Sequence, residues 1–110
     1  MTEVALREPT FLILTALAAG AQHGYGIMAD IAEISGGRVR LRPGSLYAAL
    51  NRLAIEGLVE FDREVIVDGR LRRYYRLTPS GGQRLAAEVD QLSRTTAVAR
   101  RRLRLLSDPA

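Results

Sequence analysis

The sequence has no cysteine, no tryptophan and no lysine, a single histidine at position 23, and only four tyrosines and two phenylalanines. Without cysteine there is no disulfide, no thiolate metal site and no thiol nucleophile, and one imidazole does not build a zinc site by itself. No paired carboxylates stand beside a nucleophile, so no acid, base and nucleophile can be assembled, and no catalytic residue, metal or cofactor is expected. Also lacking is any apolar run approaching the ~20 residues of a membrane span. The opening residues MTEVALREPT do not follow the basic, apolar, small-residue order of a signal peptide. These absences predict a cytoplasmic protein without a membrane partner.

The 110 residues suffice for one core and at most one appended helix, and 47% hydrophobic with 25% charged residues is the composition of a chain that folds. Net charge is +4, and all 16 basic residues are arginine. Arginine's planar fork of donors suits phosphate and guanine edges. A GC-rich genome would replace lysine by arginine as readily, so the positions of the arginines carry more than their number.

Along the chain, PTFLILTALAA (Pro9 to Ala19) is apolar nearly all round, with proline in its first turn and Gly20 just past its end, which predicts a buried helix. After HGYG, the residues Ile27, Ile31 and Ile34 recur at helical spacing until Gly36 and Gly37 stop the run. Pro43 and Gly44 then open SLYAALNRLAIE, whose Leu46, Leu50 and Leu53 share one face before Gly57. Three helices are expected.

From Leu58 to Leu77 the period changes to two, with Asp68-Gly69 between two strands, the pattern of a β-hairpin. A three-residue loop, Val67-Asp68-Gly69, sets Val59 opposite Leu77, Phe61 opposite Tyr75 and Val65 opposite Leu71, all apolar pairs. It also sets Glu60 against Arg76 and Glu64 against Arg72, which leaves the free positive charge on Arg70 and Arg73. A two-residue loop would oppose Phe61 to Arg76, and the three-residue loop is preferred. Thr78 and Pro79 are N-cap and first position of a last helix, with Gly81 and Gly82 weakening its first turn. In that helix Leu85, Val89, Leu92, Thr96, Ala99, Leu103 and Leu106 alternate spacings of four and three, a heptad seam longer than a domain of this size covers. The seam predicts a homodimer; a single helix packed along its own domain is the competing reading.

Three helices followed by a charged hairpin is the order of a winged helix-turn-helix. The expected fold is α+β, mainly α: a winged helix-turn-helix over residues 1–78 and a long dimerisation helix over 79–110. With the leucine stripe turned inward, Ser45, Ala48 and Arg52 point outward and Tyr47 and Asn51 flank them. Arginine matches guanine, asparagine matches adenine, and hydroxyls at a helix N-terminus hold phosphate. The hairpin adds Arg70, Arg72, Arg73 and Tyr74, and Arg42 leads into the third helix. These nine residues, Arg42, Ser45, Tyr47, Asn51, Arg52, Arg70, Arg72, Arg73 and Tyr74, form the candidate surface for double-stranded DNA. A dimeric ligand-binding or protein-interaction module on the same scaffold, without DNA readout, is the alternative.

The runs HGYGI, PGSLYAALNRLAIEGLV and GRLRRYYRLTPSG, followed by a long helix, resemble the PadR family of bacterial transcriptional regulators, in the short subclass with one helix after the wing. The resemblance implies a dimeric winged-helix repressor. Its operators are palindromic, belonging to its own gene or to a neighbouring efflux or detoxification gene, and a small-molecule inducer releases it from DNA. It also implies that Ser45, Tyr47 and the wing arginines touch DNA and that the last helix, helped by the first, makes the dimer. Multidrug-sensing members stack flat ligands between tryptophans of the last helix. This chain has none there, which argues against such a sandwich and leaves Phe11, His23 and Tyr25 as the candidate effector pocket; for His23 and Tyr25 a plain structural turn before the second helix is the competing role.

Overall fold

Apolar spacing decides where the helices run. The computed structural model describes residues 5–107; residues 1–4 and 108–110, the outer ends of the two expected regions, lie outside the described residues. Helix α1 (Glu8–Ala18) carries Pro9 in its first turn and buries Leu12, Ile13, Leu14, Ala16 and Leu17, so it is covered on most sides, as its unbroken apolar run requires. Helix α2 (Gly24–Ile34) buries Ile27 and Ile31. Helix α3 (Pro43–Ile55) buries Leu46, Leu50 and Leu53 completely. At roughly 2 kcal/mol for each buried leucine, this stripe is what fixes the rotation of α3 about its axis.

Strand β2 (Val59–Val67) and strand β3 (Arg70–Leu77) form the expected hairpin. A short strand, β1 (Gln22–His23), was not expected: it pairs antiparallel with β3 through Gln22–Tyr75 and His23–Tyr74 and makes a three-stranded sheet of order β1-β3-β2. Two residues are too few for any periodicity to betray a strand.

The hairpin register is as expected at its base and different at its tip. Val59 pairs with Leu77, Glu60 with Arg76 and Phe61 with Tyr75. A β-bulge then occurs between Phe61 and Arg63, and beyond it Arg63 pairs with Tyr74, Glu64 with Arg73, Val65 with Arg72, Ile66 with Leu71 and Val67 with Arg70. The loop is therefore the two-residue Asp68-Gly69 turn, both residues left-handed at φ 52° and 75°. That is the conformation whose twist matches a hairpin. The three-residue loop fails because one extra residue, Asp62, is accommodated in the strand instead of in the turn. Asp62 is held there by Arg63 and by Arg76, whose Nη1 donates to Oδ1 at 2.9 Å.

Helix α4 (Pro79–Ser107) spans 29 residues. Thr78 caps it as expected: its Oγ1 accepts from the Gly81 N–H at 2.9 Å and donates to the Gly57 carbonyl at 2.6 Å. Gly81, which costs helix propensity, is required by space, since a Cβ there would lie 2.0 Å from the Leu58 carbonyl oxygen. Only the first turns of α4 touch the chain's own core, through Leu85, and through Glu88, whose buried carboxylate accepts from Leu6 N–H and from Arg84 Nη1. Beyond them α4 is largely exposed among the described residues, and the longest dimension of the molecule reaches 66 Å. No helix among the described residues is long and apolar enough to cross a membrane.

Candidate nucleic-acid interface

The tilt of α3 against the hairpin leaves a cleft of about 390 Å³ lined by Tyr47 and Asn51 of α3, by Arg70, Leu71, Arg72, Arg73 and Tyr75 of β3, and by His23, Gly24 and Tyr25 at the start of α2. Five of the nine expected DNA-facing residues meet in it. Tyr47 lies so close against α2 that a Cβ at residue 24 would stand 2.4 Å from its hydroxyl, so Gly24 is what admits the ring.

His23 sets the back wall. Its Nδ1 accepts from the Gly26 N–H at 3.1 Å, capping α2, and Arg72 Nη1 approaches the same nitrogen at 3.2 Å. Both contacts need an unprotonated Nδ1. Desolvation, and then the nearby Arg72 charge, hold the imidazole pKa below its ordinary value. The Arg72 guanidinium also lies over the Tyr25 ring, 5.8 Å from its centre, so this arginine points across the mouth of the cleft.

The shifted register redistributes the wing charges. Glu64 was expected to neutralise Arg72; its Oε1 instead lies 3.7 Å from Arg73 Nε, and Arg73 further stacks over Phe61 at 5.0 Å. Arg76 donates to Glu60 at 2.8 Å and to Asp62, and these carboxylates raise its pKa, the Glu60 hydrogen bond most strongly. Among the described residues, the positive charge left without a carboxylate at the cleft is thus that of Arg70 and Arg72, in place of Arg70 and Arg73.

Four expected residues lie outside the cleft. Arg42 and Ser45 are exposed at the N-terminus of α3. Tyr74 packs edge-on to His23 at 5.3 Å and beneath Arg63 at 4.4 Å, an internal role on the sheet. Arg52 turns to the other side of α3, where Nη2 donates to Thr10 Oγ1 of α1 at 2.8 Å. The Arg52–Thr10 pairing spans 42 positions of sequence, and no local pattern reveals it.

The three residues expected to share an effector pocket do not share one. His23 and Tyr25 line the cleft just described, whereas Phe11 of α1 lines a separate groove of about 360 Å³ with Val89, Leu92, Ser93, Thr96, Ala97 and Arg100 of α4. Along the heptad seam Leu85 is buried in the chain's own core, while Leu92 and Leu103 are 44% and 60% exposed and Val89, Thr96, Ala99 and Leu106 are exposed with them. Among the described residues no cluster of histidine, aspartate and glutamate could hold a metal ion.

Comparison with known proteins agrees with this architecture. Residues 13–87 match the transcriptional regulator PadR-like family. Over 87 residues the chain is 46% identical to an uncharacterized 37.1 kDa protein in transposon TN4556 of Streptomyces fradiae, covering 79% of this chain and 24% of that protein. Over 65 residues it is 42% identical to the transcriptional regulator Rv3488 of Mycobacterium tuberculosis, covering 56% of this chain and 60% of that protein. The chain thus spans less than two thirds of the length of either relative. Among solved structures, Bacillus subtilis PadR in complex with operator DNA is similar at a TM-score of 0.66 and 30% identity, over 76% of this chain and 47% of that one. With its winged helix, its long last helix and a family match over most of its length, the chain belongs to the PadR-like family of transcriptional regulators.

Proposed function

We propose that the protein is a homodimeric, cytoplasmic repressor that binds a pseudo-palindromic operator in double-stranded DNA. The observation that carries this reading is the convergence of Tyr47 and Asn51 of α3 with Arg70 and Arg72 of the wing on one side of the molecule. A helix with a flanking charged hairpin is the geometry that reads a major groove while gripping the adjoining backbone. The solved complex of Bacillus subtilis PadR with operator DNA supports the same assignment by likeness. The exposed seam from Val89 to Leu106 supports the dimer, in which two copies of α3 meet half-sites about one helical turn, ~34 Å, apart. Repression then follows sterically, since a dimer spread over an operator inside a promoter excludes the polymerase.

The test is binding to a duplex from the gene's own upstream region, measured against random duplex at two or more salt concentrations. Affinity should fall steeply with salt, and Arg70→Ala should lower the salt slope by about one unit for every sequence alike. Binding indifferent to salt, or without preference over random duplex, would overturn the assignment.

A further inference from the structure

The arginine expected to read bases from α3 is not on its base-reading side. Arg52 is held by Thr10 across the helix from the wing cleft, so the surface α3 offers to a major groove is nearly uncharged. Opposite the buried Leu46, Leu50 and Leu53, the outward face carries Gly44, Ala48 and Ile55, with Asn51 and Tyr47 on the wing side. Asn51 is exposed and, among the described residues, its carboxamide makes no side-chain hydrogen bond.

Chemistry narrows what such a surface reads. A carboxamide offers an acceptor and two donors, which adenine matches through N6 and N7. Guanine presents two acceptors and calls for arginine or lysine, and neither stands on this face. Small residues at 44 and 48 let the helix lie close to the base edges, and the Ala48 methyl is a partner for the thymine C5-methyl group. We infer that α3 selects A·T base pairs, with Asn51 paired to adenine N7 and N6 and Ala48 against a thymine methyl, while the wing arginines hold phosphates without regard to sequence. This rests on the DNA-binding reading above and deepens it.

Selection from a pool of random duplexes at fixed salt tests it. The recovered half-sites should contain an A·T pair whose adenine, replaced by 7-deazaadenine, weakens binding about tenfold. Deoxyuridine in place of the contacted thymine should weaken it about fourfold, the worth of one methyl. Asn51→Ala should bind the natural site about tenfold more weakly and lose nothing further with 7-deazaadenine. Half-sites made of G·C pairs wherever α3 docks, or an undiminished 7-deazaadenine penalty in Asn51→Ala, would overturn the inference while salt-dependent binding persisted. Absence of salt-dependent binding to any duplex in the pool would instead overturn the DNA-binding reading beneath it. The base-analogue experiments on the unmodified protein need no variant to fold.

Discussion

At position 81 the absence of one methyl group lets the last helix begin where it does. A Cβ at Gly81 would meet the Leu58 carbonyl oxygen at 2.0 Å and Leu77 Cδ1 at 2.9 Å, and that carbonyl is itself fixed as the acceptor of the Thr78 N–H. Backbone cannot yield as a side chain can, so Gly81→Ala should cost about 3 kcal/mol, seen as a lower urea midpoint with unchanged slope. Its neighbour is the control: a Cβ at Gly82 has only Leu77 Cδ2 within reach, at 4.0 Å, and Gly82→Ala should stabilise by up to ~1 kcal/mol through helix propensity. An equal loss at both positions would show that the close approach is not what selects glycine. His23 supplies a pH dependence of known sign. Its pKa is lower folded than unfolded, so below the ordinary imidazole value the unfolded chain takes up the proton more readily. Its stabilising contribution is present above that value and is lost as pH falls through the folded pKa. The melting temperature should therefore decline on acidification from neutral pH, and His23→Asn, which keeps a capping acceptor for Gly26, should flatten that decline. An identical pH profile in the variant would remove His23 from the account.

At the scale of elements, the sequence declared its helices through leucine and isoleucine spacing, and its hairpin through alternation around Asp68-Gly69. The base of the hairpin was also legible, because Val59 with Leu77 and Phe61 with Tyr75 are the only pairings there that keep apolar groups together. The tip was not. Apolar pairing cannot tell a longer loop from a bulge, since both insert one residue, and the outcome is decided by what holds Asp62, a contact with Arg76 made only once the strands are paired. The same limit hid the destinations of Arg52 and Glu64. A side chain several ångströms long on a helix or strand chooses its partner from another element, and periodicity says nothing about which one. The turn itself gives a check: Gly69 has φ 75°, and Gly69→Ala should cost about 1–2 kcal/mol in denaturant unfolding. A loss near zero would mean that residue 69 does not hold the left-handed conformation in solution.

At the scale of the whole molecule, α4 extends well beyond the core it springs from, with Leu92 and Leu103 partly exposed on its seam. Replacing both by glutamate should leave a folded monomer that loses specific DNA binding, because two half-sites no longer share one tether. Light scattering that still showed a dimer would place the interface elsewhere. In the proposed dimer the Thr78 clamp acquires a mechanical meaning. By joining the end of the wing, the turn after α3 and the start of α4 through one hydroxyl, it leaves no slack between the seam and the reading head. Each protomer then behaves as a rigid crank whose arm is about 43 Å long for the 29 residues of α4. A change of only ~5° in how two such cranks cross displaces each head by about 4 Å, close to the ~3.4 Å rise of one base pair. The angle frozen into that crossing acts as a ruler for the distance between half-sites, so operators whose spacers differ by a single base pair should be sharply discriminated.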